Sequence, residues 1–158
     1  MSKEKNTNQD LQFKVLMAAR DNGIGSMLFR NAMAKKLDLS LTESLCLTLL
    51  GINLVSTPSQ ISKYTGLTTG ATTTMLDRLE KKGFILRKSN PNDRRGVIIE
   101  INEEYSKIAF PMVSGVQKAH KSLIDSYSDE ELEVVVDFLT KFTKNMTENT
   151  KKIEDIKL

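Results

Sequence analysis

The run SNPNDRRGVIIE, Ser89 to Glu100, sets Arg94 and Arg95 side by side after Asp93, between the apolar-rich stretches FILRK and VIIEI. A guanidinium is a planar fork of donors suited to anionic oxygens, phosphate above all. Upstream, TTGATTT gathers five threonines within Thr68–Thr74, with Gly70 among them. Hydroxyls bond phosphates and base edges, and a threonine methyl fits a thymine methyl. These residue types serve recognition of an anionic polymer better than bond making. One histidine, His120, and one cysteine, Cys46, leave few options for acid–base or nucleophilic catalysis. TTGATTT lacks the closing Gly-Lys-Ser/Thr of a nucleotide-phosphate loop. Two such ligands alone do not make a metal site, although a zinc site built on carboxylates stays open. No cofactor, no metal and no enzymatic activity are expected.

The elements that would position these groups can be read from start and stop signals. Residues Leu11 to Leu37 follow helical spacing, with DNGIG (Asp21–Gly25) as an expected break, since each interior glycine costs about 1 kcal/mol. Ser40-Leu-Thr-Glu43 is a capping box that opens a helix to about Asn53. Thr57-Pro-Ser-Gln60 opens a short third helix ending near Gly66, and Thr68 caps a fourth that stops at Gly83. Phe84–Lys88 and Val97–Ile101 read as a hairpin around Asn-Pro-Asn-Asp. Asn102 to about Tyr127 is helical, with Pro111 as a kink or first-turn residue. Ser128-Asp-Glu-Glu131 starts a last helix with Leu132, Val135, Val136, Leu139, Phe142 and Met146 on one side.

The fold class is therefore mostly α with a small β-hairpin: a winged helix-turn-helix flanked by terminal helices. In this reading Ile61, Tyr64, Leu67, Ala71, Met75 or Leu76, and Leu79 form the lobe's core. Thr68, Thr69, Gly70, Thr72, Thr73, Thr74 and Arg78 are the recognition-helix candidates. Thr57, Ser59 and Gln60 are candidate DNA contacts at the start of the preceding helix. Threonines are poor helix formers, so their density fits either a DNA-facing surface or merely an exposed, weak helix. A hairpin directly after such a helix acts as a wing, whose tip can enter a narrow minor groove through arginine. Arg94 and Arg95 would be the probe, Asp93 would orient one of them, and Arg87 and Lys88 would meet phosphates.

The 158 residues suffice for one domain with a core, and 39% hydrophobic with 27% charged content is ordinary for a globular chain. No stretch reaches the ~18 apolar residues of a membrane span. The polar start MSKEKNTNQD lacks a signal peptide's apolar run, and a lone cysteine agrees with a reducing compartment, so a cytoplasmic protein is expected. Net charge is +3, yet residues 56–101 carry eight Lys and Arg against four Asp and Glu, making the middle of the chain the basic part.

The segment STPSQISKYTGLTTGATTTMLDRLEKKGFILRKSNPNDRRGVIIEI resembles the winged helix-turn-helix of the MarR family, the multiple-antibiotic-resistance regulators. LDRLEKKGFILR and the DRR before an apolar strand carry the resemblance most specifically, and the flanking helices extend it over nearly the whole chain. It implies a homodimeric transcription regulator, usually a repressor. Residues 1–40 and 102–158 would form the dimerisation region and residues 41–101 the DNA-binding lobe. The family's Asp-x-Arg wing motif falls on Asp93 and Arg95. Release from DNA by a small aromatic or phenolic effector is a further implication. The exit Ile101-Asn102-Glu103 departs from the family's usual Leu-Thr, and the reading face is richer in Thr and poorer in Arg than is common. Independently, terminal helices apolar on one side favour a symmetric dimer, reading half-sites about 34–36 Å apart in an imperfect palindrome.

Cys46 sits in apolar SLCLTLL, which raises a thiol's pKa; a buried structural role is favoured over a redox sensor. The methionines fill core gaps, and Met17, Met27, Met33 and Met112 are the candidates for an effector pocket. His120 is surface or pocket lining. The competing function is a winged-helix protein-interaction module that no longer reads DNA.

Overall fold

The computed structural model describes residues 2–91 and 93–156, with side chains described for residues 8–91, 96–153, 155 and 156. The chain divides into two compact units, Met1–Phe110 and Pro111–Leu158. Six helices and one hairpin follow in the order α1 (Ser2–Lys36), α2 (Leu41–Gly51), α3 (Pro58–Thr65), α4 (Thr69–Lys81), β1 (Ile85–Asn90), β2 (Asp93–Ile101), α5 (Glu103–Ile124) and α6 (Asp129–Glu154).

Helix α1 is unbroken across Asp21–Gly25, contrary to the expected break. Glycine lowers helix propensity but, unlike proline, removes no hydrogen bond, so a 35-residue ladder carries two of them. Leu11, Phe13, Leu16, Met27 and Leu28 on this helix stay exposed in the single chain.

The lobe begins where each cap was expected. Ser40 Oγ accepts the Glu43 N–H at 3.2 Å while Glu43 Oε2 accepts the Ser40 N–H at 2.8 Å. Thr57 and Gln60 repeat the arrangement at α3, at 3.3 and 3.1 Å. Gly66, at φ +71°, is left-handed and closes α3, a conformation that glycine adopts without a Cβ penalty. Thr68 caps α4, accepting the Ala71 N–H at 3.3 Å. Gly83, at φ +73°, turns the chain into β1.

The core of the lobe is Cys46, Leu47, Leu50, Val55, Ile61, Met75, Leu76, Leu79, Ile85 and Ile99, with further apolar neighbours around it. Two expected members are outside it. Tyr64 is 51% exposed and Ala71 is exposed. Helix α3 has only two turns and buries Ile61 alone. Helix α4 faces inward through Thr72, Met75, Leu76 and Leu79, the 3–4–7 spacing of one helical face. That phase is one residue, about 100°, from the one that would bury Ala71.

The strands pair antiparallel, Ile85 opposite Ile101, Arg87 opposite Ile99 and Ser89 opposite Val97. The register then breaks: Asn90 pairs with Asp93, so Arg94, Arg95 and Gly96 are extra on β2. The Ile99 N–H donates to Ser56 O at 2.8 Å, tying the hairpin to the loop before α3. At the exit, Asn102 Oδ1 accepts the Glu104 N–H at 3.3 Å, so asparagine caps α5. Pro111 lies inside α5, beyond its first turn.

In the second unit, Ser128 and Glu131 form the expected box at the start of α6. Phe138 and Phe142 stack with centroids 5.7 Å apart. Val135, Val136, Leu139 and Met146 are exposed on this helix. Among the described residues, no helix is long and apolar enough to cross a membrane.

Candidate nucleic-acid interface

Helix α4 buries one face and leaves Thr69, Gly70, Thr73, Thr74, Asp77 and Arg78 exposed on the other. The threonine hydroxyls are partly engaged in the helix: Thr73 Oγ1 donates to Thr69 O at 3.0 Å and Thr74 Oγ1 to Gly70 O at 3.1 Å. With their protons turned inward, these oxygens offer lone pairs outward beside their methyls. Such a surface accepts from the amino groups of adenine or cytosine and contacts thymine methyls. Thr68 is exposed at the helix start, where the dipole favours an anion.

Thr72 does not belong to this surface. It is 1% exposed on the inner face, and its Oγ1 has no hydrogen-bond partner among the described residues. Five threonines in seven positions cannot all face one way on a helix turning 100° per residue.

A cleft of about 430 Å³ runs between α3, α4 and the wing, lined by Thr57, Ser59, Thr69, Asn90 and Val97 among others. It brings two of the helix-start candidates together with the recognition helix and the hairpin. Gln60 instead spends its side-chain oxygen on the Ser56 and Thr57 N–H groups, at 2.9 and 3.1 Å.

The basic residues are arranged differently from the expectation of free phosphate contacts. Arg78 forms an ion pair with Glu43, Nε lying 3.1 Å from Oε1, with Glu43 only 5% exposed and Arg78 largely in solvent. Arg87, half-buried on β1, bridges two carboxylates of α4: Nη2 lies 2.7 Å from Asp77 Oδ1, and Nη1 pairs with Glu80 Oε2. Lys88 pairs across the hairpin with Glu100 at 2.5 Å. These partners were missed in sequence. The i, i+3 spacing of Asp77 and Glu80 was visible, but only the path of β1 past α4 gives it a cation. The backbone of Asp93, Arg94 and Arg95 opens β2 at the register break; their side chains lie outside the described residues.

Cys46 is fully buried, and burial, with the Glu43 carboxylate nearby as a smaller cause, pushes its thiol up to about 12. A thiol held neutral lacks the thiolate that oxidants attack, which counts against the redox-sensor alternative. Met17 and Met33 are half-buried and Met27 exposed on α1. Met17 and Met33 are sixteen residues apart, about 24 Å along a helix, so they do not share one small pocket in a single chain. Met112 is half-buried and belongs to the other unit, and His120 is exposed on α5. Among the described residues, no three His, Cys, Asp or Glu side chains gather where a metal could be held.

Comparison with known proteins agrees with this architecture. Residues 39–97 match the family model described as "MarR family". The uncharacterized HTH-type transcriptional regulator YcgE of Bacillus subtilis (strain 168) is 30% identical over 150 residues, covering 95% of this chain and 97% of that protein. The apo form of wild-type MarR from E. coli is 29% identical, with a TM-score of 0.51 over 72% of this chain and 85% of its own. A point mutant of S. aureus MepR bound to an oligodeoxyribonucleotide is 20% identical, with a TM-score of 0.52 over 85% of this chain and 97% of its own. A capped helix-turn-helix with a hairpin wing, and a relative matched end to end, lead to one conclusion: this chain belongs to the MarR family of DNA-binding, winged helix-turn-helix transcriptional regulators.

Proposed function

We propose that the protein is a cytoplasmic homodimer that binds an imperfect palindrome in double-stranded DNA as a repressor and leaves it when a small aromatic or phenolic effector binds. The observation that carries the DNA-reading part is the exposed Thr69–Gly70–Thr73–Thr74 surface of α4, flanked by the start of α3 and by the wing. Thr68, Thr69, Gly70, Thr73 and Thr74 supply the groove contacts, Thr57 and Ser59 contact backbone phosphates, and Arg94 and Arg95 probe the adjacent minor groove from the wing tip. The MepR mutant with a bound oligodeoxyribonucleotide supports DNA as the partner.

Dimerisation rests on the exposed apolar side chains of α1 and α6, too many to leave in water on a small protein. Residues 1–40 and 102–158 make the dimer and residues 41–101 read DNA. Because Arg78, Arg87 and Lys88 are already ion-paired, fewer counterions are released per subunit than the basic residues alone would give, and the salt slope is correspondingly shallower.

The test is a fluorescence-anisotropy titration at two salt concentrations, using the intergenic DNA upstream of the protein's own gene and a scrambled control. Arg95→Ala should weaken operator binding by about 1–3 kcal/mol with the dimer intact. Equal affinity of the wild type for both DNAs would favour the protein-interaction module instead.

A further inference from the structure

We infer that Arg87 is a positioning residue of the reading head: it locks the base of the wing to the recognition helix and does not itself hold a DNA phosphate. The inference rests on the DNA-reading function proposed above and adds how its two parts are held in register. Arg87 stands on β1 directly opposite Ile99, which is buried. Its side chain is 27% exposed, and its two terminal nitrogens are committed to Asp77 and Glu80, one turn apart on α4. Exposed single ion pairs contribute little; here both carboxylates reach solvent, Asp77 at 59% and Glu80 at 40%, and it is the sheltered guanidinium held by the two together that gives the contact a fixed geometry.

The bridge has two consequences for DNA. It fixes the angle between α4 and the hairpin, so the major-groove and minor-groove elements meet the duplex together. It also offsets half of the charge of Asp77 and Glu80, which would otherwise repel phosphates more strongly from the flank of the reading surface. Lysine has a single ammonium point and cannot span both carboxylates with a fork, so Arg87→Lys should restore only part of the function.

Two measurements decide it. In the DNA-free dimer, hydrogen exchange at the β1–β2 amides should speed up about ten-fold in Arg87→Gln, the loss expected for a charge-assisted contact, and likewise in Asp77→Asn/Glu80→Gln. Exchange in α2 should be unchanged. On operator DNA, Arg87→Gln should lower affinity with an unaltered salt slope, and adding Arg95→Ala should then cost much less than it does in the wild type. Unchanged wing exchange in Arg87→Gln overturns the inference whatever the DNA result. Additive losses with a salt slope reduced by about one, the mark of a lost phosphate contact, overturn it as well. No effect of Arg95→Ala in the wild type would instead sink the wing-tip part of the proposed function, leaving the exchange result to judge the bridge.

Discussion

Thr72→Val tests the phase of the recognition helix and the energetics of its floor together. Thr72 is 1% exposed, and its hydroxyl finds no partner among the described residues. An unsatisfied buried hydroxyl costs about 1–3 kcal/mol. Valine has nearly the same shape and similar helix propensity, and it replaces the hydroxyl by a methyl whose burial contributes about 0.8 kcal/mol. The sum predicts stabilisation of about 2–4 kcal/mol, or a rise in Tm of roughly 4–16 °C for a chain of this size. Urea unfolding of both proteins at one fixed concentration measures it, since the stability of a dimer depends on concentration. Operator affinity should stay within two-fold of wild type, because the side chain, at the floor of the cleft between α3, α4 and the wing, is too buried to reach a base or phosphate. A loss of about 1 kcal/mol, as expected for removing a made hydrogen bond, would show that the hydroxyl turns to the Thr68 carbonyl in solution, and the reasoning would fail. A large loss of operator binding at unchanged stability would return Thr72 to the reading surface.

Three further outcomes are expected. Arg78→Ala leaves the buried Glu43 carboxylate without its cation and should destabilise by about 1–3 kcal/mol, more than Glu43→Gln, which keeps an oxygen for the Ser40 cap; the reverse order in urea titrations would mean the pair is idle. The folded protein keeps the Cys46 proton up to about pH 12, while the unfolded thiol releases it near its ordinary 9.0. Between those values the unfolded chain binds fewer protons, so stability should fall as pH rises, by up to about 1.4 kcal/mol per unit; a Cys46→Ala protein with the same slope would refute this. Thr73→Ala should relax sequence preference more than it lowers affinity for random DNA, and competition titrations showing equal loss on both would remove base reading from that position.

Local signals were legible in the sequence because their physics is local. The boxes at Ser40, Thr57 and Ser128 each join residues three apart, so the tetrapeptides carried enough information to place three helix starts. The hairpin was legible for the same reason, though β2 begins four residues earlier than the apolar run implied. What escaped depended on neighbours distant in the chain. The continuity of α1 is set by its whole ladder and not by two glycines. The burial of Thr72 depends on the rotation of α4 against the core, where one residue of phase exchanges inside for outside. The partners of Arg87 and Arg78 depend on where β1 and α2 pass α4.

The register break in the wing separates its tip from its base. Below it, Ile85–Ile101, Arg87–Ile99 and Ser89–Val97 pair in step; above it, Arg94, Arg95 and Gly96 answer to no residue on β1. A change in length or composition among unpaired residues does not slide the ladder beneath them, whereas a one-residue slip within a ladder turns every side chain to the other face. The tip can therefore diverge, or be exchanged in the laboratory, without refolding the scaffold that carries it. If the wing and α4 read DNA as proposed above, operators could then be re-specified at the minor groove while recognition by α4 is left alone.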